Sequence, residues 1–225
     1  MLANLSLIGQ RTAEHVAMVG VAVGIAILTG VPIGIAITQN RRVADAVLYA
    51  ADVTITIPSV ALFGLLIPLL SPFGYGIGYV PAVVALTLYS QLPIIRNTYT
   101  AVMNVDPAMR EAARGMGMGM GMGMTTLQRL WEVELPIAFP VILGGVRNAV
   151  ALTIGIGAIA TYIGAGGLGR FIANGITQTD IRQLLTGAVA VSLLAIVADS
   201  ILLLLQRVLT SPGLSVCPGS FLCLA

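Results

Sequence analysis

Long apolar stretches separated by short polar segments run along the chain almost to its end. A transmembrane helix needs roughly 20 largely apolar residues. The windows that meet this requirement are Ala13–Ile37, Asp45–Leu70, Tyr79–Met103, Ala138–Ile163 and Gln183–Gln206. The second window is less uniform than the others, because Pro58 lies inside it and Pro68 lies near its end. The pattern predicts an all-α, polytopic membrane protein with about five transmembrane helices.

Small residues punctuate the first window at helical spacing. Gly20, Gly24, Gly30 and Gly34 are expected to mark a packing face, since small residues let membrane helices approach closely. Between the fourth and fifth windows, Gly164–Asp180 is rich in glycine and half apolar. This segment is expected to form a short interfacial helix or a re-entrant turn.

The composition supports a membrane location and excludes several functions. The chain is 57% hydrophobic and 9% charged, whereas a soluble domain carries about 25% charged residues. A net charge of +2 is too small to suggest nucleic-acid binding. All eleven basic residues are arginine, so the lysine of a nucleotide-binding P-loop is absent. We therefore expect that the chain is not an enzyme and does not hydrolyse ATP itself.

Metal and nucleophile chemistry find no support in the sequence. His15 is the single histidine, has no second ligand nearby and is expected to be an incidental residue at the outer interface. Cys217 and Cys223 also lack ligating neighbours and are interpreted as an incidental pair. We expect no metal site and no cofactor bound by this chain.

The arginines outside the apolar windows predict the orientation. Cytoplasmic loops carry an excess of basic residues. One side of the membrane would hold Arg41, Arg42, Arg110, Arg114, Arg129 and Arg207, and the other would hold Arg11, Arg170 and Arg182. Six arginines against three favour an N-terminus on the outside. The long connection 104–137 is then a cytoplasmic element.

Four charged residues fall inside the windows at similar depth: Asp52, Arg96, Arg147 and Asp199. Counting from the inner ends of their helices places all four roughly 10–14 Å deep. Charges at such depth are costly unless they pair or face water. We expect two acids and two bases to form one neutralising layer near the cytoplasmic side. The alternative is that each side chain separately reaches the inner interface, which the two arginines are long enough to do and the two aspartates are not.

The connection between the third and fourth windows contains two helix signals. Asp106-Pro107 is a good helix start, because aspartate caps and proline suits the first turn. Thr125 or Thr126 can cap a second helix, Leu127–Val133, which has Trp131 as its apolar anchor, and Leu135-Pro136 is expected to break that helix. The intervening run Gly115–Met124 alternates glycine and methionine and is interpreted as a repeat expansion in a surface turn.

The same connection resembles the EAA loop of ABC importer permeases. The resemblance rests on Glu111-Ala112-Ala113, a following glycine taken as Gly115, and Leu135-Pro136. It implies a type I importer permease fold in which these residues form the coupling helix that docks on a cytoplasmic ATPase subunit. ATP and magnesium would be bound by that partner. The spacing from Glu111 to Pro136 is longer than in the family, and the surplus Gly-Met dipeptides account for the excess.

Three further stretches resemble permeases for quaternary amines: TIPSVALFGLLIPLL, YSQLPIIRNTYTAV and AIATYIGAGGLGRFIANGI. This resemblance implies an importer for osmoprotectants such as glycine betaine, choline, carnitine or proline betaine, in the bacterial inner membrane. The implied partners are an extracytoplasmic binding protein, the ATPases, and a second permease copy or a sister permease. The alternatives are a permease for methionine or another amino acid, and a small channel or scaffold without an ATPase.

The resemblance extends through most of the chain and defines its expected domain. Residues 1–214 are predicted to form one transmembrane permease domain that includes the coupling loop 104–137. Residues 215–225 do not resemble the family and are expected to be a disordered tail.

Overall fold

Helices make up nearly all of the regular structure in the described part of the chain. The computed structural model describes residues 2–109, 111 and 125–209. Its helices are α1 (Leu2–Ala36), α2 (Arg41–Thr56), α3 (Ser59–Leu70), α4 (Tyr79–Met103), α5 (Thr126–Arg129), α6 (Leu135–Ile159), α7 (Gly169–Thr177) and α8 (Ile181–Leu209). A π-helical segment, Leu130–Glu134, joins α5 to α6. The predicted all-α class is therefore confirmed.

Three helical stretches of the described residues are long and apolar enough to cross a membrane: Ser6–Gln39, Leu127–Ile163 and Ile181–Leu209. The number becomes four if the bent pair of α2 and α3 counts as one span. Helix α4 is also 25 residues long, but polar side chains such as Gln91, Arg96 and Asn97 lower its mean hydropathy. The count of five spans depends on α4 and stays a prediction.

Helix α4 is the centre of the helical bundle. It packs most extensively against α1 and α6, and buried residues occur along its whole length. Glycines make this close packing possible: a Cβ atom on Gly34 would lie 2.6 Å from Cβ of Thr98, and one on Gly145 would lie 2.6 Å from Cβ of Asn97. The burial of α4 explains why a helix of modest hydropathy can occupy the interior of the bundle.

The predicted glycine packing face of α1 is only partly correct. Gly30 and Gly34 press against α4, and added Cβ atoms there would come within 3 Å of its side chains. Gly20 and Gly24 have no neighbouring atom within 4 Å of such a Cβ. The close approach is therefore confined to the end of α1 that meets the second half of α4.

The second apolar window is not one straight span. Its helix ends at Thr56 and restarts at Ser59, with a bend of 100° between α2 and α3. Proline disfavours helical geometry in the residue before it, and Ile57 is extended with φ −68° and ψ 124°. The hydroxyl of Tyr89 donates a hydrogen bond to the freed carbonyl of Ile57. Pro58 thus creates a break that α4 stabilises.

A glycine turn and a short helix connect α6 to α8. Gly164, Gly166 and Gly167 have φ values of +83°, +82° and +77°, which favour glycine. The turn pairs with the residue before the start of α4, since Gly78 N–H donates to Ile163 O at 2.8 Å. Helix α7 follows, and a Cβ on Gly175 would lie 2.5 Å from the backbone nitrogen of Leu184 in α8. The short helix is present as expected, and the interfacial or re-entrant placement of the segment stays a prediction.

Candidate functional site

The segment that resembles a coupling helix starts with the expected cap. The side chain of Asp106 accepts a hydrogen bond from the backbone N–H of Ala108 at 2.8 Å, and residues 107–109 and 111 are helical. Glu111 is exposed on this helix. Ala112, Ala113 and Gly115, together with the whole Gly115–Met124 run, lie outside the described residues.

The chain re-enters helix at Thr125 through a reciprocal cap. The backbone N–H of Gln128 donates to Thr125 Oγ1 at 3.3 Å, while the backbone N–H of Thr125 donates to Gln128 Oε1 at 3.0 Å. Two otherwise unpaired donors at the helix start are thereby satisfied. The cap lies at one of the two predicted threonines.

The prediction of a helix break at Leu135-Pro136 is wrong. The chain remains helical from α5 through the π-helical segment into α6, where Pro136 lies in the first turn. Proline tolerates a first turn because it lacks a backbone N–H, and the wider π turn shifts the hydrogen-bond pattern just before it. Trp131 is 67% exposed, so it does not anchor the helix within this chain as predicted. Leu135 and Pro136 therefore begin a membrane helix.

A buried ion pair closes the π-helical segment. Arg129 Nε donates to Glu134 Oε1 at 2.9 Å, and the Glu134 side chain is 6% exposed. The pair borders a cleft of about 250 Å³ beside the C-terminal ends of α1 and α4. A π turn brings residues five positions apart close together. The pair ties the segment after the coupling loop to the base of the bundle.

One predicted charge pair joins the broken helix to the centre of the bundle. Arg96 Nη2 of α4 donates to Asp52 Oδ2 of α2 at 2.6 Å. The arginine and aspartate side chains are 49% and 43% exposed. No other hydrogen bond of either side chain occurs among the residues that the structure describes. The pair therefore retains an uncovered carboxylate oxygen and several uncovered guanidinium N–H groups.

The other predicted pair joins α6 to α8, and its charged groups make several hydrogen bonds. Arg147 donates from Nε and Nη2 to the two carboxylate oxygens of Asp199, each at 2.9 Å. Its Nη1 also donates to Gln206 Oε1 at 3.3 Å, and Gln206 Nε2 donates to the carbonyl of Pro140 at 2.9 Å. A bidentate arginine–carboxylate pair combines strength with fixed geometry. These contacts form a clasp between α6 and α8.

The four charges therefore meet as two pairs. Within the described ranges, no hydrogen bond or ion pair links Asp52 or Arg96 to Arg147 or Asp199. The similar depth of all four charges stays a prediction, and depth alone did not tell which acid meets which base. The four charges therefore do not form the single connected layer that we expected. Arg147–Asp199 is a saturated pair, in which most polar atoms have hydrogen-bond partners, and Asp52–Arg96 is an unsaturated pair, in which several do not.

A polar cluster that the sequence analysis missed fastens the start of α1 to the glycine turn. Arg11 Nη1 donates to both oxygens of Glu14, at 2.9 and 2.8 Å, and Glu14 Oε2 accepts from the backbone N–H of Gly167 at 3.1 Å. His15 is completely buried and its Nε2 donates to Ile154 O at 3.1 Å. The interpretation of His15 as an incidental residue is wrong, because it is buried and hydrogen-bonded.

Glycine is required where this cluster meets the turn. A Cβ atom on Gly167 would lie 2.9 Å from His15 Nδ1, and one on Gly166 would lie 2.9 Å from Glu14 Oε2. The Gly-rich turn was visible in the sequence, but nothing in it identified His15 and Glu14 as its partners. Among the described residues, no group of histidine, cysteine and carboxylate side chains could hold a metal ion.

Long apolar helices around a buried central helix, with charged side chains paired between helices, define an all-helical, multi-pass membrane protein. Comparison with solved structures agrees. A chain of the inward-facing MetNI methionine ABC transporter superposes with a TM-score of 0.78, covering 94% of this chain and 100% of that chain at 24% identity. At this identity the likeness establishes the fold.

The family follows from sequence. Residues 26–211 match the model of the binding-protein-dependent transport system inner membrane component. The chain is 52% identical to the osmoprotectant import permease protein OsmW of Salmonella typhimurium over 95% of this chain and 97% of the relative. It is 39% identical to the choline transport system permease protein OpuBB of Bacillus subtilis, over 91% and 89%. The chain belongs to this family of ABC importer permeases.

Family membership settles several expectations. The chain is the inner-membrane permease component of an ABC importer and is not the ATPase of that system. Such systems depend on a binding protein and an ATPase, so both are partners of this chain. This selects the importer over the alternative of a small channel or scaffold.

Proposed function

We propose that this permease imports quaternary-ammonium osmoprotectants, such as glycine betaine or choline. The observation that carries the proposal is the 52% identity to an osmoprotectant import permease across almost the full length of both chains. The alternative substrate class, methionine or another amino acid, is supported by the fold likeness alone, and a fold does not specify a substrate.

Two permease subunits would form the pathway, either two copies of this chain or this chain and a sister permease. The ATP and magnesium that drive import are bound by the ATPase partners, and this chain binds no cofactor. The extracytoplasmic binding protein makes the first selection of substrate and delivers it to the outer face.

The ATPase docks on the coupling loop through Glu111, Ala112, Ala113, Gly115, Leu135 and Pro136. Two features of the described residues support this assignment. Glu111 is exposed on a capped helix, and Leu135 and Pro136 begin α6 directly after the buried Arg129–Glu134 pair. A push that reaches α5 would therefore be transmitted to α6 through a continuous helical connection.

The N-terminus lies outside and the coupling loop lies in the cytoplasm. The distribution of arginines supports this orientation, and so does their grouping in three dimensions. Arg11 and Arg170 border one cleft at the end of the bundle that carries the glycine turn. Arg129 lies beside Gln39 and Met103 at the opposite end.

Uptake measurements test the proposal directly. The permease, its ATPase and its binding protein are expressed in a strain that lacks other osmoprotectant uptake systems, and uptake of labelled glycine betaine and choline is measured at high osmolarity. We expect ATP-dependent accumulation of at least one compound, which disappears when this chain is omitted. Accumulation of labelled methionine alone would contradict the proposal.

A further inference from the structure

The unsaturated pair of Asp52 and Arg96 lies on a polar stripe of α2 and α4 that cannot face lipid. On α2, exposed or half-exposed polar side chains recur at three- and four-residue spacing: Arg42, Asp45, Tyr49, Asp52 and Thr56. This spacing places them on one helix face. The adjoining face, which includes Ala44 and Leu48, packs against Ile95 and Tyr99 of α4.

The depth of the pair excludes lipid as its neighbour. Arg96 lies seven residues before the end of α4 at Met103, which is about 10 Å along the helix. Charged side chains at such depth pair, face water or face another protein chain. Since roughly half of each side chain is uncovered, the stripe faces either a water-filled pathway or a surface of the second permease that shares it.

The two charge pairs differ in the number of bonds they leave unmade. The guanidinium of Arg147 bonds both oxygens of Asp199 and Gln206, so it has little left to offer a ligand. In the described part of the chain, Arg96 makes one hydrogen bond, to Asp52. A pair that stabilises helix packing is most effective when all its donors and acceptors are hydrogen-bonded within the protein. A ligand-binding site needs donors and acceptors that are free.

We infer that Asp52, Arg96 and Tyr49 form a substrate subsite within the permease for compact zwitterions that carry a quaternary ammonium group. The inference rests on the proposed function. The free oxygen of Asp52 attracts the ammonium group, and the guanidinium N–H groups of Arg96 that do not bond Asp52 bind a carboxylate. Tyr49 is 71% exposed and lies one turn before Asp52 on the same face, where its ring can contact the cation.

The opposite charges lie as close together as those of the ligand. Glycine betaine carries its ammonium group and its carboxylate on the same methylene carbon, so both charges can reach this pair at once. Choline has the ammonium group and no carboxylate. The subsite therefore predicts a selectivity: Asp52 contributes to both substrates, and Arg96 contributes to the zwitterion alone.

Substrate selectivity in two variants is the first test. Initial uptake rates of glycine betaine and choline are measured for Arg96→Gln and Asp52→Asn, with Arg147→Gln as the structural comparison. We expect Arg96→Gln to lower the ratio of glycine betaine to choline uptake about tenfold, the effect of losing one charged hydrogen bond. Asp52→Asn and Arg147→Gln should leave the ratio near its original value. An unchanged ratio in Arg96→Gln overturns the inference.

A labelling experiment tests the subsite whichever compound is imported. Tyr49→Cys is made in a chain whose Cys217 and Cys223 are replaced by serine, and the assembled transporter is treated with a charged, membrane-impermeant thiol reagent. We expect labelling that glycine betaine or choline slows. Ile196→Cys is the control, because Ile196 is 63% exposed on the apolar face of α8 and should not react.

The outcomes separate this inference from the proposed function. Import of neither compound by the unmodified transporter contradicts the proposed function. Normal import together with a Tyr49→Cys side chain that does not react, or that reacts at the same rate with and without substrate, contradicts the subsite alone.

Discussion

At the residue scale, the clasp of Arg147 and Asp199 shows how a charge is tolerated inside the bundle. Its bidentate geometry and the additional bond to Gln206 satisfy most of the polar atoms involved. Removing one partner leaves the other charged at membrane depth without compensation. The two helices that it joins, α6 and α8, have no other ion pair between them in the described residues.

We expect Arg147→Gln to destabilise the detergent-solubilised permease by on the order of 2 kcal/mol, because Asp199 loses a charged partner. The loss should shrink in the double variant Arg147→Gln/Asp199→Asn. Thermal unfolding of the single and double variants measures this coupling. The cross pair Arg147→Gln/Asp52→Asn is the control and should be additive, since no contact joins these residues. Additive losses within the clasp would show that its members do not interact.

The glycine turn offers a second prediction for single residues. Gly167 and Gly164 both have positive φ, but only a Cβ on Gly167 would press on His15 Nδ1, at 2.9 Å. We expect Gly164→Ala to cost about 1 kcal/mol from its backbone conformation. Gly167→Ala should cost more, because the buried His15 must also move. Melting temperatures of the two variants test this order, and equal values would show that the His15 contact carries no energy.

At the element scale, the chain is helical from α5 through the π-helical segment into α6 without a break. Small residues at Ala113 and Gly115 suit a helix face that inserts into a partner's groove. A bulky side chain there should block docking while leaving the membrane helices unchanged.

We therefore expect Ala113→Trp to abolish transport and substrate-stimulated ATP hydrolysis while the chain still inserts in the membrane. Ala113→Ser is the matched control and should retain both activities, because it adds a single atom. ATP hydrolysis by the reconstituted transporter and the amount of membrane-inserted permease are the two measurements. Normal stimulation of ATP hydrolysis in Ala113→Trp would contradict the assignment of this loop as the docking site.

The Gly-Met run permits a second test of the same element. Loop-closure entropy grows only with the logarithm of loop length, so an insertion of a few loop residues costs little. We expect that deleting three of the Gly-Met pairs within Gly115–Met124 leaves uptake unchanged or increased. Uptake by the shortened chain, compared at equal expression, measures the effect. A loss of uptake would indicate that the run has a role of its own.

At the scale of the whole molecule, the orientation in the membrane decides which end meets which partner. The glycine turn and the start of α1 would meet the binding protein outside, and the coupling loop would meet the ATPase inside. The cluster of Arg11, Glu14 and Gly167 then secures the outer end of the bundle.

This orientation predicts opposite accessibility at the two ends. In intact cells, a membrane-impermeant thiol reagent should label a cysteine at Gln178, which is exposed beside α7. A cysteine at the exposed Gln128 should react only after the cells are opened. Both variants are made in the chain without its own cysteines. The reverse pattern of labelling would place the N-terminus inside.

Much of the fold followed from local pattern. Hydrophobic length predicted the helices, because a membrane imposes a minimum apolar length on each span. The constant rise of a helix predicted that four charges lie at similar depth. The domain boundary at residue 214 and the tail 215–225 stay predictions, since residues 210–225 lie outside the described part of the chain.

Local rules failed where neighbouring helices change the outcome. Pro58 breaks its window with a bend of 100°, whereas Pro136 leaves its helix unbroken. Both prolines lack an N–H, and the difference lies in their surroundings. The free carbonyl of Ile57 accepts a hydrogen bond from the hydroxyl of Tyr89 on another helix. At Pro136, the preceding π-helical segment accommodates the proline within a continuous helix.

The sequence by itself determined the class, the membrane location and the family, because apolar length, the absence of lysine and the coupling motif are properties of single segments. Tertiary structure alone decided which charges pair, and which pair stays unsaturated. It also decided the burial of His15, whose bonding partner Ile154 lies 139 residues away. These outcomes depend on which helices pack together. The sequence pattern within one helix does not indicate which side chain of another helix it will contact.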